Sequence, residues 1–316
     1  MRILVFGAGA IGSVLGGFLA KTGHDVTLLG RPWHLDAIRV PGLSIAGIWG
    51  EHRVRNMTLA TRPEQAAGSP PYDWIFVCVK AYQTAAAAPI IAGLLGPSTL
   101  VCAFQNGLGN YETLAQAIDP GRIALGRIIF GAEISPGCVR VTVSPDDVIV
   151  GAPDARVPRE RIEALVFALK GSGIPARSSE QILVELWAKV LYNCALNGLS
   201  TLLEVPYGTL LEQEPVRRLM AAIIEEAYRA AAAGRIPLKP ATAEEYVAWL
   251  FTQLIPSTAA HHSSMLQDVL AGKPTEIEAL NGAIVRLGRE AGVPTPMNAL
   301  VTRLVHEKER FTGVAV

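Results

Sequence analysis

Lys189, Asn193 and Asn197 recur at four-residue intervals inside the run Glu185-Leu186-Trp187-Ala188-Lys189-Val190-Leu191-Tyr192-Asn193-Cys194-Ala195-Leu196-Asn197. On a helix that spacing lines them up on one face, among Leu, Val, Trp, Cys and Ala. A solvated helix face carries mainly Glu, Lys and Arg. Asparagine is a weak helix former, and burying one without a partner costs about 1–3 kcal/mol. The stripe therefore predicts a ligand. A lysine beside amides in apolar surroundings has a destabilised ammonium, and it can hand a proton to a carbonyl oxygen as hydride reaches the carbon. The chemistry implied is carbonyl reduction with Lys189 as proton donor. The alternative is a solvent-facing lysine with asparagines capping a neighbouring loop.

A reductase needs a hydride source, and the N-terminus offers a place for one. Gly7-Ala8-Gly9-Ala10-Ile11-Gly12 follows a short apolar run and precedes a helical pattern, the context in which G-x-G-x-x-G binds a dinucleotide. The first glycine permits a tight turn, the second lets backbone approach a pyrophosphate, and the third allows close helix packing, with the helix N-terminus facing the phosphates. About 20 residues beyond such a motif an NAD site offers an acid to the ribose hydroxyls. Here Arg31 follows the run Asp25 to Leu29. A guanidinium suits a 2′-phosphate, so NADP(H) is expected. Lys80 lies just beyond a third apolar run, with Gln83 one turn later, and both are candidates for the adenosine phosphate. Asn106 follows a further run in Gln105-Asn106-Gly107, where it reads equally as a functional group or a plain turn.

Elements must hold these residues in place. Apolar runs at Arg2 to Phe6, Asp25 to Leu29, Trp74 to Val79, Leu100 to Ala103 and Ile123 to Ile128 alternate with helical segments, the pattern of a parallel sheet covered by helices. Between Cys138 and Val150, short runs with turn signals suggest antiparallel strands closing that sheet. From about Gln181 the period is helical almost throughout, as in Pro215 to Ala233. The expectation is an α/β Rossmann-type doubly wound sheet over residues 1–175, followed by an all-α domain over residues 176–316.

Lys plus Arg and Asp plus Glu both number 28, so no global field draws the chain to nucleic acid or anionic lipid, and a small-molecule partner is expected. Half the residues are hydrophobic, enough for a sizeable core and against disorder. The four cysteines have no C-x-x-C spacing, which suggests neither disulfides nor zinc. The opening apolar run lacks a basic flank and is cut by glycines, so a strand and not a secretory signal is expected. The stretch Ala85 to Leu95 is too short to span a bilayer. A soluble cytoplasmic protein follows. Alanine-rich helices such as Ala221 to Ala233 would suit a homodimer interface or internal packing.

Near the end, Thr275 and Glu278 have the spacing of a capping box, which gives Glu278 a structural job and leaves Glu276 unexplained. Adjacent His261 and His262 diverge by about 100° on a helix and have no further ligand spacing, so no metal is expected.

Together these motifs resemble the 2-dehydropantoate 2-reductase (ketopantoate reductase) family over nearly the whole chain. The residues that carry the resemblance are the glycine loop, Val79-Lys80-Ala81, Gln105-Asn106-Gly107, Glu185-Leu186-Trp187 with Lys189 and Asn193, and Ser263-Ser264-Met265-Leu266-Gln267-Asp268 with Thr275-Glu276-Ile277. The resemblance implies an oxidoreductase that reduces 2-dehydropantoate to (R)-pantoate with NADPH in pantothenate and coenzyme A biosynthesis. It makes Lys189 the proton donor and Asn106 a contact to nicotinamide and substrate. Asn193, Asn197 and Ser264 become substrate-binding groups. Arg31, Lys80 and Gln83 hold the adenosine end, and Ala132 and Glu276 complete the cofactor site. Two positions depart from the family pattern: His261 stands where some family members have an asparagine, and Tyr207 where a further substrate asparagine would follow the catalytic helix. That change keeps a second enzyme reading in view, reduction of another small branched 2-oxo acid. A non-catalytic NADP sensor, which needs no proton donor, is the reading from a different class.

Overall fold

A computed structural model describes residues 1–67 and 70–314. The chain divides into two compact units, one of Met1–Gln105 with Asn110–Ile182, the other of Asn106–Gly109 with Leu183–Val316.

In the first unit, strands β1 (Arg2–Phe6), β2 (Asp25–Leu29), β3 (Leu43–Gly47), β4 (His52–Val54), β5 (Met57–Ala60), β6 (Trp74–Val77), β7 (Leu100–Ala103), β8 (Ile123–Arg127), β9 (Gly131–Ser135), β10 (Cys138–Val143), β11 (Val148–Gly151) and β12 (Ala176–Ser178) form two sheets. The larger has the order β12-β11-β8-β7-β6-β1-β2-β5. From β5 to β8 every pairing is parallel, and Val5 lies beside Leu28 on one side and Phe76 on the other. Strands buried on both faces read as unbroken apolar runs, which is why β1, β6 and β7 stand out in the sequence. The order reverses at β1, and in open α/β sheets ligands bind at the carboxyl ends beside such a switch point.

The segment 138–150 departs from expectation. Only β11 closes the large sheet, antiparallel to β8. Strand β10 instead joins a second sheet, β4-β3-β10-β9, antiparallel to β9 and parallel to β3. Helix Ala10–Lys21 lies between the two sheets. Its paired glycines permit this: a Cβ on Gly16 would meet Leu28 at 2.6 Å, and one on Gly17 would meet Ile45 at 2.7 Å. Strand β6 also ends at Val77, earlier than its apolar run, where the backbone of Gly7 crowds Val79.

The second unit is helical. Helix Ile182–Leu203, which enters it at Leu183, packs Leu191, Cys194 and Leu196 into a core with Ile223, Ile284 and Val301. At Gly198 a Cβ would lie 2.4 Å from Val301 of helix Pro296–Phe311, so that crossing needs glycine. The Glu226 carboxylate, on helix Glu214–Ala233, accepts the backbone N–H groups of Met297 (2.8 Å) and Asn298 (3.0 Å) and so caps the last helix. Among the described residues no helix is long and apolar enough to cross a membrane.

Candidate functional site

In the first unit the three glycines of the loop do different work. Gly7 has φ +110, and a Cβ there would lie 2.7 Å from the Val79 nitrogen. A Cβ on Gly12 would strike the Gly7 carbonyl oxygen at 2.2 Å. A Cβ on Gly9 would meet nothing within 4 Å. Two positions are thus closed by protein packing, while the middle one opens a backbone approach to space left by the fold. The first-turn N–H groups of Ala10, Ile11 and Gly12 have no intrahelical partner and stand at the positive end of the helix dipole. That arrangement fits a pyrophosphate.

The rest of the dinucleotide candidates follow from the strand order. Gly7 and Ala8 both donate to the Leu29 carbonyl (3.0 and 2.8 Å), and Gly30 is packed so closely on Ala8 that a Cβ would meet its methyl at 2.7 Å. This ties the end of β2 to the loop and sets Arg31 next to it. Arg31 is exposed, at the N-cap of helix Pro32–Ile38. Lys80 and Gln83, both half-buried, bracket the turn beyond β6, where the Gln83 N–H donates to the Lys80 carbonyl at 2.8 Å. Ala132 lies half-buried on β9, in the second sheet.

Asn106 belongs to the second unit, although the residues on either side of Asn106–Gly109 belong to the first. Thr84 clamps those flanks: its hydroxyl accepts from Gln105 (2.6 Å) and donates to Asn110 (2.9 Å). Within the excursion, Leu108 N donates to the Ala279 carbonyl at 2.8 Å. Gly107 has φ +82, and a Cβ there would sit 2.4 Å from that same oxygen. The asparagine-glycine pair is therefore a turn, as one of the two readings of the sequence has it.

On the second unit, Lys189 Nζ donates to Asn106 Oδ1 at 2.6 Å, and Asn106 Nδ2 donates to Glu276 Oε2 at 3.2 Å. The amide is oriented at both ends: its oxygen faces the cation and its nitrogen faces the carboxylate. Glu276 is buried. One turn along from Lys189, Asn193 is 7% exposed and makes no side-chain hydrogen bond within the described residues. After another turn, Asn197 Oδ1 accepts the Tyr207 hydroxyl at 2.7 Å. Thr201 continues the stripe and meets Ser263 at 3.1 Å between hydroxyl oxygens. The structure thus brings Lys189, Asn106 and Glu276 into one hydrogen-bonded row and sets Asn193 and Asn197 beyond it.

One structural expectation from sequence changes, at Thr275, and Ser264 stands where a helix begins. Ser264 is exposed at the first position of helix Ser264–Leu270, and the capping hydroxyl belongs to Ser263, which accepts Leu266 N at 3.0 Å. The capping box at Thr275 does not form. Thr275 Oγ1 accepts Ile277 N at 3.3 Å, and Glu278 receives Arg286 (2.7 Å) and His306 (2.9 Å). A 3-10 turn, Ile277–Ala279, stands where a helix was expected to start, and partners remote in sequence outcompete the local cap. Among the described residues no cluster of three or more His, Cys, Asp or Glu is gathered as a metal site. All four cysteines are free thiols.

A Rossmann-type sheet with its glycine loop, followed by a helical unit bearing a lysine-amide-carboxylate row, defines an oxidoreductase of the two-domain dinucleotide class. Comparison with known proteins narrows this. Residues 3–155 match the family described as ketopantoate reductase PanE/ApbA, and residues 181–309 match its C-terminal domain. The chain belongs to the ketopantoate reductase family. It is 39% identical to the 2-dehydropantoate 2-reductase of Aquifex aeolicus (strain VF5), over 98% of each chain. Among solved structures it is similar to a ketopantoate reductase from Ralstonia eutropha JMP134 (TM-score 0.88, 31% identity, 99% of each chain). It is also similar to D-mandelate dehydrogenase solved with NADH and anilino(oxo)acetate (TM-score 0.86, 28% identity, 99% of this chain and 100% of that one).

Proposed function

We propose that the protein reduces 2-dehydropantoate to (R)-pantoate with NADPH, in the cytoplasm, as a step of pantothenate synthesis. In this reading residues 1–175 hold the dinucleotide and residues 176–316 the oxo acid. The observation that carries it is the row Glu276–Asn106–Lys189, with Nζ 2.6 Å from an amide oxygen oriented by a carboxylate. The nicotinamide, when bound, supplies the hydride that reaches C2 of the oxo acid. Lys189 gives its proton to the carbonyl oxygen, whose developing negative charge an ammonium stabilises as well. Asn106 fixes the direction of Nζ. Asn193, buried and without a side-chain hydrogen bond among the described residues, and Asn197 offer amides to the oxo acid, and exposed Ser264 is the remaining substrate contact in this reading. The backbone of residues Gly7 to Gly12 takes the pyrophosphate. Arg31, Lys80 and Gln83 take the adenosine end with its 2′-phosphate, and Asn106, Ala132 and Glu276 take the nicotinamide half.

NADPH oxidation by the purified protein with ketopantoate tests this directly. Lys189→Ala is expected to lower kcat by about 10²- to 10⁴-fold, the usual worth of a positioned general acid. NADPH binding, followed by fluorescence, is expected to survive. Turnover that persists in the variant removes Lys189 from the mechanism. A second reading, reduction of another branched 2-oxo acid, is favoured by the ring cluster of Tyr192, Tyr207 and His261, in which the Tyr207 hydroxyl holds Asn197, and higher kcat/KM with 2-oxoisovalerate than with ketopantoate would establish it.

A further inference from the structure

Tyr207 is fully enclosed, and among the described residues its hydroxyl has Asn197 Oδ1 as its hydrogen-bond partner, at 2.7 Å. A buried hydroxyl whose neighbour is an acceptor gives that neighbour its proton, because leaving the donor unmade costs more than the bond contributes. Burial also raises the Tyr207 pKa well above the ordinary value, so the proton stays in place across the working range. The ring is held independently of the hydroxyl. It meets Tyr192 edge-on at 5.7 Å and His261 at 5.4 Å, and its own backbone N–H donates to the His261 carbonyl at 3.1 Å. Tyr192 is fixed in turn through Thr258, 2.7 Å from its hydroxyl.

The consequence falls on Asn197. A carboxamide has one oxygen and one NH₂ group, and it can present either by rotating about its last bond. With Oδ1 engaged by Tyr207, rotation is blocked and Nδ2 is the end left to a ligand. We infer that Tyr207 is a positioning residue of the substrate site: it locks the Asn197 amide so that this position reads an acceptor oxygen on the oxo acid and rejects a group that can only donate. The inference rests on the proposed role of Asn197 in binding the oxo acid. It goes beyond that role by assigning the polarity of the contact and the residue that sets it.

Tyr207→Phe removes the hydroxyl and keeps the ring packing. Steady-state kinetics of wild type and variant would be measured with ketopantoate and 2-oxoisovalerate, alongside NADPH affinity and thermal melting. The expected result is a KM for ketopantoate raised about 3- to 10-fold, the worth of one neutral hydrogen bond, with kcat within about twofold and NADPH affinity unchanged. A general loss of structure would lower kcat and the melting temperature instead. Should Tyr207→Phe melt early, Asn197→Asp supplies the second arm. It keeps the shape and replaces the N–H donor with a carboxylate oxygen, so a KM raised about 10- to 100-fold at unchanged NADPH affinity is expected, on the order of a lost charged contact. Unchanged KM values in a folded Tyr207→Phe, or in Asn197→Asp, overturn the inference while wild-type turnover leaves the proposed function standing. Wild-type protein that binds NADPH but reduces neither oxo acid overturns both.

Discussion

Arg31 is the side chain on which the proposed preference for NADPH rests. It emerges where β2 meets the glycine loop, held there by Gly30 against Ala8, and it stands exposed where an acidic residue would bind the ribose of NAD. Arg31→Ala is expected to weaken NADPH by about 10- to 100-fold, the range of a lost charge-assisted hydrogen bond, and to leave NADH nearly unchanged. Titrations with both dinucleotides check this, and equal losses for the two would show that Arg31 acts on something other than the 2′-phosphate. Residue patterns were informative where chemistry and local periodicity coincide, as along Lys189, Asn193 and Asn197. They were blind to partners supplied by another element. Nothing near Tyr207 in the sequence announces Asn197, and the spacing of Thr275 and Glu278 pointed to a cap that Arg286 and His306 prevent.

Elements show the same division. The parallel strands were legible because burial on both faces writes an unbroken apolar run. The second sheet was not, since β10 sets Cys138 beside Ser44 and such distant parallel pairing leaves no local pattern. Helix Pro296–Phe311 shows how an element can depend on a remote charge. Its first N–H groups converge on Glu226, 2% exposed, whose carboxylate also accepts Asn298 Nδ2 at 2.8 Å. Glu226→Ala removes the acceptor of the Met297 and Asn298 N–H groups and leaves Asn298 Nδ2 only its bond to the Ile223 carbonyl, so urea denaturation is expected to show a loss of about 1–3 kcal/mol, or more if the donors stay dry. A midpoint within error of wild type would mean that water or a shifted side chain replaces the carboxylate.

For the whole molecule, equal numbers of acidic and basic residues leave pH dependence to particular groups. His306 is one. Burial by itself would lower its pKa, but hydrogen bonds and charge from Glu278 and Glu309 outweigh burial, and the net shift is upward from 6.5. Glu309 also accepts Thr275 N at 2.7 Å, so His306, bonded to the same carboxylate, braces the segment leading into Glu276. A group whose pKa rises on folding contributes stability that is full below its unfolded pKa and lost as pH climbs through the folded value. Melting temperature is therefore expected to fall as pH rises above about 6.5. That component should be absent in His306→Gln, and identical profiles for the two proteins would place the effect elsewhere.

The four residues Asn106–Gly109 have a consequence for how the protein can be taken apart. A fragment cut at Leu183 would retain Lys189, Asn193, Asn197 and Glu276 but lose the amide that aligns the lysine. Moving residues 183–316 alone into another scaffold would likewise leave the Ala279 carbonyl without Leu108 and the Glu276 carboxylate without Asn106, unless that short stitch travels with the helices. The hydrogen-bonded row is thus discontinuous in sequence, although the unit that holds it is compact in space.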